Sequence, residues 1–182
     1  MLKEDIKIIK VTQEMLDKAY SDAMHLDKEN AGRKTKEGGE LKNVKGSLAQ
    51  QAVYQYLSCS PVFFNQIEYS DPYQEGLYGD SFDLKIFGET YDVKCRGCWN
   101  EKYWYNLDFM MGEHEHKEKV DNYIFTTVDS DLEHVYIIGG ISYSDLWNRI
   151  EQPKNIQNLK FPTAGCIHIK HMKPLMRFIL HS

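Results

Sequence analysis

The chain has 182 residues, 42% hydrophobic and 13% aromatic, a size and content that fit one compact domain over residues 1–182 with a real core. Its net charge of −5 weighs against an extended phosphate-binding face, leaving only a local basic groove open. No repeat, secretory pattern or apolar run of about 18 residues is present, so a cytoplasmic protein with no membrane partner is expected.

In chain order, Thr12 to Leu26 predicts an amphipathic helix, with Thr12 as N-cap and Met15, Leu16, Ala19, Ala23 and Leu26 on one stripe. Such a helix could brace a core, form a dimer contact or cover a substrate groove. Arg33, Lys34, Lys36, Lys42 and Lys45 then form a basic segment among Gly32, Gly38 and Gly39. It reads equally as a phosphate-binding stretch or as a solvated loop. A second helix is expected over Lys45 to Leu57, where Leu48, Ala52, Val53, Tyr56 and Leu57 recur at helical spacing.

The segment Tyr78 to Cys95 is the most informative. Phe82–Phe87 and Thr90–Cys95 are strand-like runs separated by Gly88-Glu89, which suits a type II′ turn that pairs Phe87 with Thr90, Lys85 with Asp92 and Asp83 with Lys94. Side chains alternate along a strand, so Asp83, Lys85, Asp92 and Lys94 share a charged face, while Phe82, Leu84, Ile86, Tyr91, Val93 and Cys95 share an apolar one. Two converging carboxylates, with the Val93 carbonyl as a third oxygen, suit Mg²⁺ or Mn²⁺. Lys94 beside them could orient a water or stabilise charge on a phosphoryl transition state. From the hairpin alone, ordinary cross-strand ion pairs are an equal reading.

Beyond it, Cys95 and Cys98 form a Cys-x-x-Cys pair, with Cys59 and Cys166 apart; the four read as free buried thiols or as zinc or iron–sulfur ligands. Trp99 to Tyr105 gathers aromatics beside Arg96 and Lys102, where packing competes with stacking on bases and the two cations are candidate phosphate contacts. Glu113 to His116 reads as a solvated turn rather than a metal site. Asp121–Val128 and His134–Ser142 are strong strand candidates, followed by a short helix from Tyr143 to Trp147 and a terminal element from His168 to Phe178.

Asp83 followed by Asp92-Val93-Lys94 resembles the core motif of the PD-(D/E)XK nuclease superfamily, with a helix before it and a strand pair after it in the family's order. The resemblance spans roughly Lys45 to Phe178, dividing the chain into an N-terminal helix and basic loop over 1–44 and a core over 45–178. It implies an α/β fold with a restriction-endonuclease-like core, a mixed central sheet flanked by helices. It places Gln50 where the family's first helix carries a metal-assisting glutamate; the amide adds no charge. Asp80 competes for the first acidic position, but the expected register favours Asp83 and leaves Asp80 an accessory contact to metal or water.

The expected activity is therefore Mg²⁺- or Mn²⁺-dependent hydrolysis of DNA phosphodiesters. Asp83 and Asp92 bind metal with Val93 and Asp80, and Lys94 and Gln50 assist; Lys45, Lys85, Arg96 and Lys102 contact the nucleic acid. DNA is favoured over RNA, and a homodimer is expected by analogy. A catalytically weak binding module of the same fold and a cysteine-held zinc or iron protein are the alternatives.

Overall fold

The computed structural model describes residues 2–29, 39–70, 82–99, 102–112, 120–150 and 163–181. In chain order the elements are β1 (Lys7–Lys10), α1 (Gln13–Glu29), α2 (Gly39–Ser58), β2 (Ile67–Tyr69), β3 (Leu84–Ile86), β4 (Glu89–Cys98), β5 (Asp108–Gly112), β6 (Asn122–Val128), β7 (His134–Ser142), α3 (Tyr143–Arg149), β8 (Thr163–His168) and α4 (Leu175–Ile179). Among these helices none is long and apolar enough to cross a membrane.

Six strands form one mixed sheet in the order β1-β7-β6-β4-β3-β2. Only β4 and β6 run parallel; the other neighbours are antiparallel. A parallel pair needs a crossover, and the chain between β4 and β6 makes it through β5, which pairs with β8 in a separate two-stranded sheet. β6 is buried along its whole length, as a central strand covered on both faces must be.

Alternation sorts the core into two layers. On one face Leu84, Ile86, Tyr91, Val93, Ile124 and Ile137 pack against Ala49, Val53 and Leu57 of α2 and Phe178 and Ile179 of α4. On the other, Tyr123, Phe125 and Ile138 pack under Phe109 and Met111 of β5, Ile167 of β8 and Leu146 of α3. α1 lies on α2: Met15, Ala19 and Ala23 meet Val44, Leu48 and Ala52, so the first helix braces the second. The Thr12 hydroxyl accepts the Met15 N–H at 3.2 Å, the expected N-cap.

The helix expected to open at Lys45 begins six residues earlier, at Gly39, and so takes up Lys42 and Lys45; Arg33, Lys34 and Lys36 lie outside the described residues. The expected hairpin register is corrected. Phe87 and Gly88, with φ of 51° and 89°, are the central turn residues, and the pairs are Ile86↔Glu89, Lys85↔Thr90 and Leu84↔Tyr91. Positive φ at both positions is the signature of a type I′ turn, not II′. Tertiary contacts select it: the Phe87 ring rests 5.5 Å from that of Phe63, and Glu89, drawn into β4, accepts from Asn122 Nδ2 at 2.9 Å. Each pair moves by two positions, which leaves the alternation of faces intact. Phe82 is the exception, packing in the second layer rather than with Leu84 because it precedes the strand.

The close approach of α4 to the sheet depends on Gly140. Its backbone exchanges two 2.9 Å hydrogen bonds with Lys173, and a Cβ there would overlap the Phe178 ring. Gly140→Ala is expected to lower stability by about 2–3 kcal/mol through overpacking, read as a lower urea midpoint with an unchanged slope.

Candidate active site

The β3–β4 ladder ends at Leu84↔Tyr91, although β4 continues to Cys98. Past that point the Val93 N–H has no strand to pair with, and the Asp83 side chain takes the strand's place: its Oδ2 accepts the Val93 N–H at 2.6 Å. A strand residue's N–H and C=O point to the same side, so the Val93 carbonyl opens onto the same gap. The other oxygen of Asp83 accepts from Gln50 Nε2 of α2 at 2.8 Å, across 33 residues of sequence. Asp92 and Lys94, on either side of Val93, point to the opposite face from α2. There Lys94 Nζ meets Asp92 Oδ2 at 2.6 Å, each side chain 17% exposed.

Asp83, Asp92, Lys94, Val93 and Gln50 thus meet where β3 and β4 part. Burial first, then the negative charge of Asp92, push the Asp83 carboxyl up to about 8; the Val93 N–H and the Lys94 ammonium pull the other way and lose. Without a cation the Asp83 carboxyl therefore keeps its proton up to about pH 8. The donor set also suits a hard divalent ion. It consists of oxygens from Asp83, Asp92 and the Val93 carbonyl, joined by Gln50 Oε1, a buried acceptor with no hydrogen-bond partner.

α2 is seated by a polar network that no spacing in the sequence announces. The buried Asp22 of α1 accepts from Ser47 Oγ at 2.5 Å and from Lys18 at 3.2 Å, and Gln51 Nε2 donates to Ser47 Oγ at 3.0 Å and to the Met15 carbonyl at 3.2 Å. Ser47 and Gln51 flank Gln50, so this network sets which face of α2 meets Asp83. At the start of β4, Asp121 Oδ2 accepts from both the N–H and the hydroxyl of Thr90 at 2.8 Å, tying β4 to the loop before β6.

The proposed nucleic-acid contacts are placed unevenly. Lys85 lies on the hairpin face of Asp92 and reaches Glu68 Oε2 at 3.7 Å, and Arg96 stands two residues beyond Lys94 on β4. Lys45 is five residues from Gln50, about 140° around α2, and so faces elsewhere. Lys102 is exposed before β5, its Nζ 5.4 Å from the centre of the Tyr103 ring. Trp99 stacks on Tyr136 at 4.2 Å and packs with Trp104 against the second layer, whereas Tyr103 and Tyr105 stay exposed. Asp80 and Glu113 to His116 fall outside the described residues.

Cys59, Cys95 and Cys166 lie on three separate elements or their ends, namely α2, β4 and β8; the Cys98 side chain is not described. Among the described residues no group of three or more His, Cys, Asp or Glu side chains is arranged to hold a metal. Asp83 and Asp92 would need Val93 and Gln50 to complete a ligand set. A cavity of about 550 Å³ opens where β4 and β6 begin, lined by Glu89, Asp121, Asn122, Ser142 and Lys173 among others. Asp83 and Asp92 do not line it. No family model matches the chain, and no curated protein matches it.

Proposed function

We propose that the chain is a Mg²⁺- or Mn²⁺-dependent nuclease that hydrolyses DNA phosphodiesters, built on a restriction-endonuclease-like core of the PD-(D/E)XK kind. The observation that carries this reading is the convergence of Asp83, Asp92 and Lys94 with Gln50 where β3 and β4 part. A helix before the motif and two strands after it, in a mixed sheet, support it.

Asp83, Asp92 and the Val93 carbonyl would hold the ion, with Gln50 Oε1 accepting from a water near it. The ion would supply charge stabilisation at the phosphate and a water of lowered pKa. Lys94, held by Asp92, brings a positive charge to the side where the phosphoryl oxygens gain negative charge as water adds to phosphorus. The P–O ester bond then breaks and the departing oxygen takes up a proton. Lys85 and Arg96 are the side chains best placed to meet flanking phosphates, and a homodimer cutting both strands accords with this reading.

The test is cleavage of supercoiled, linear and single-stranded DNA in Mg²⁺, Mn²⁺ or EDTA, with Asp92→Asn alongside. Cleavage should need the ion and vanish in the variant. DNA binding without ion-dependent cleavage would instead indicate a non-catalytic binding module, for which the neutral Gln50 is the motivating feature. Activity that survives Asp92→Asn would place the chemistry elsewhere.

A further inference from the structure

We infer that Phe87, at the tip of the hairpin that carries the acids, and Phe64, in the turn fastened to it, form a base-stacking platform that binds unpaired nucleobases about four nucleotides from the cleaved phosphate. This rests on the nuclease reading above.

The first sign is conformational. Phe87 holds φ at 51°, in the left-handed region, at the first central position of a type I′ turn, where asparagine, aspartate or glycine is the usual occupant. A bulky residue there is strained, and such strain gathers at functional positions. Packing on Phe63 covers only part of the ring: Phe87 remains 48% exposed. In the adjoining turn Asn65 takes the left-handed conformation that asparagine readily adopts, and the preceding Phe64 stands 71% exposed.

The two turns are fastened together. The Phe87 N–H donates to the Gln66 carbonyl at 3.2 Å, and its ring rests on the buried Phe63. An exposed aromatic backed by a fixed core residue, as Phe87 is, loses little freedom when a ring stacks on it, which is what a platform for bases requires.

Position identifies the occupant. Phe87 is four residues from Asp83 along one hairpin, about 13 Å at strand rise. That is roughly four nucleotides along a strand at 3.4 Å each. Lys85 lies between the tip and the acids on the charged face and can meet a phosphate on the way. A nucleic acid held at the acids would therefore carry bases past these rings. Stacking on an aromatic face tolerates any base, so the platform selects unpaired or frayed strands rather than a sequence.

The experiment uses fluorescein-labelled single-stranded DNA, and forked DNA with 2-aminopurine stepped through the nucleotides flanking the cut, in EDTA, with wild type, Phe64→Ser and Phe87→Asn. Asparagine is favoured at the turn position and Phe64 faces solvent, so both variants should keep Tm within about 3 °C of wild type. Wild type should quench 2-aminopurine within about five nucleotides of the cut, and each variant should lose that quenching and bind single strands about tenfold or more weakly. Tight wild-type binding that both variants retain overturns the platform and leaves the nuclease reading standing. Failure of the wild type to bind any DNA overturns both. A concentration-dependent dimer that Phe64→Ser dissociates, with DNA affinity unchanged, reassigns the rings to self-association and overturns the platform.

Discussion

Asp83→Asn is expected to abolish cleavage, by about 10³-fold or more, while making the ion-free protein more stable near neutral pH. The folded protein keeps a proton on Asp83 up to about pH 8, whereas the unfolded chain gives it up near the ordinary value of 3.8. Between those values the native state binds the extra proton, so wild-type stability is full at about pH 4, falls as pH rises toward 8 and levels off above it. Linkage bounds that loss at roughly 6 kcal/mol, and relaxation around the pair brings the expected gain of the variant to about 2 kcal/mol at pH 8. The asparagine fits the same contacts. Its oxygen accepts the Val93 N–H, and its amide donates to Gln50 Oε1 once the Gln50 amide turns over. In EDTA the variant should melt about 4–8 °C higher at pH 8, with a flatter pH profile. Mn²⁺ should raise the Tm of the wild type and leave that of the variant unchanged. A variant that melts lower than wild type, with the same pH profile, would show that Asp83 is not the proton-holding acid.

Lys94→Met is expected to separate ion binding from chemistry. The ammonium sits 2.6 Å from Asp92 Oδ2, where in the proposed mechanism it would compete with a divalent ion for the carboxylates and would also meet the phosphate. Its removal should leave Mn²⁺ affinity equal or tighter in a calorimetric titration, yet cut cleavage by about 10²–10³-fold. In EDTA the variant should be about 1–2 kcal/mol less stable, below the cost of breaking a fully buried pair because both side chains remain partly solvated. Cleavage above a tenth of wild type would reduce Lys94 to a structural counter-ion of Asp92.

The site was legible where it depends on short-range periodicity. Strand alternation puts Lys85, Asp92 and Lys94 on one side of the hairpin in either register, so the wrong turn type did not separate them; Asp83, just before β3, instead turns its carboxyl to the Val93 N–H and to Gln50 of α2. The 3.6-residue stripe located α2, and Thr12 marked the start of α1. The four short strands β1, β2, β5 and β8 escaped notice because three to six residues hold too little pattern, and a strand without a partner is no strand. The turn went to Phe87-Gly88 against local preference because Phe63, Gln66 and Asn122 reward that register from other parts of the chain.

By itself, then, the sequence determined which residues share a face, since that follows from the two-residue and 3.6-residue periods of the backbone. Tertiary structure alone decided what those residues do to one another. The Gln50–Asp83 bond joins residues 33 apart, and the Asp22–Ser47 bond that seats α2 joins residues 25 apart. The proton on Asp83 depends on burial and on the distance to Asp92, and neither exists until β3, β4 and α2 have packed together.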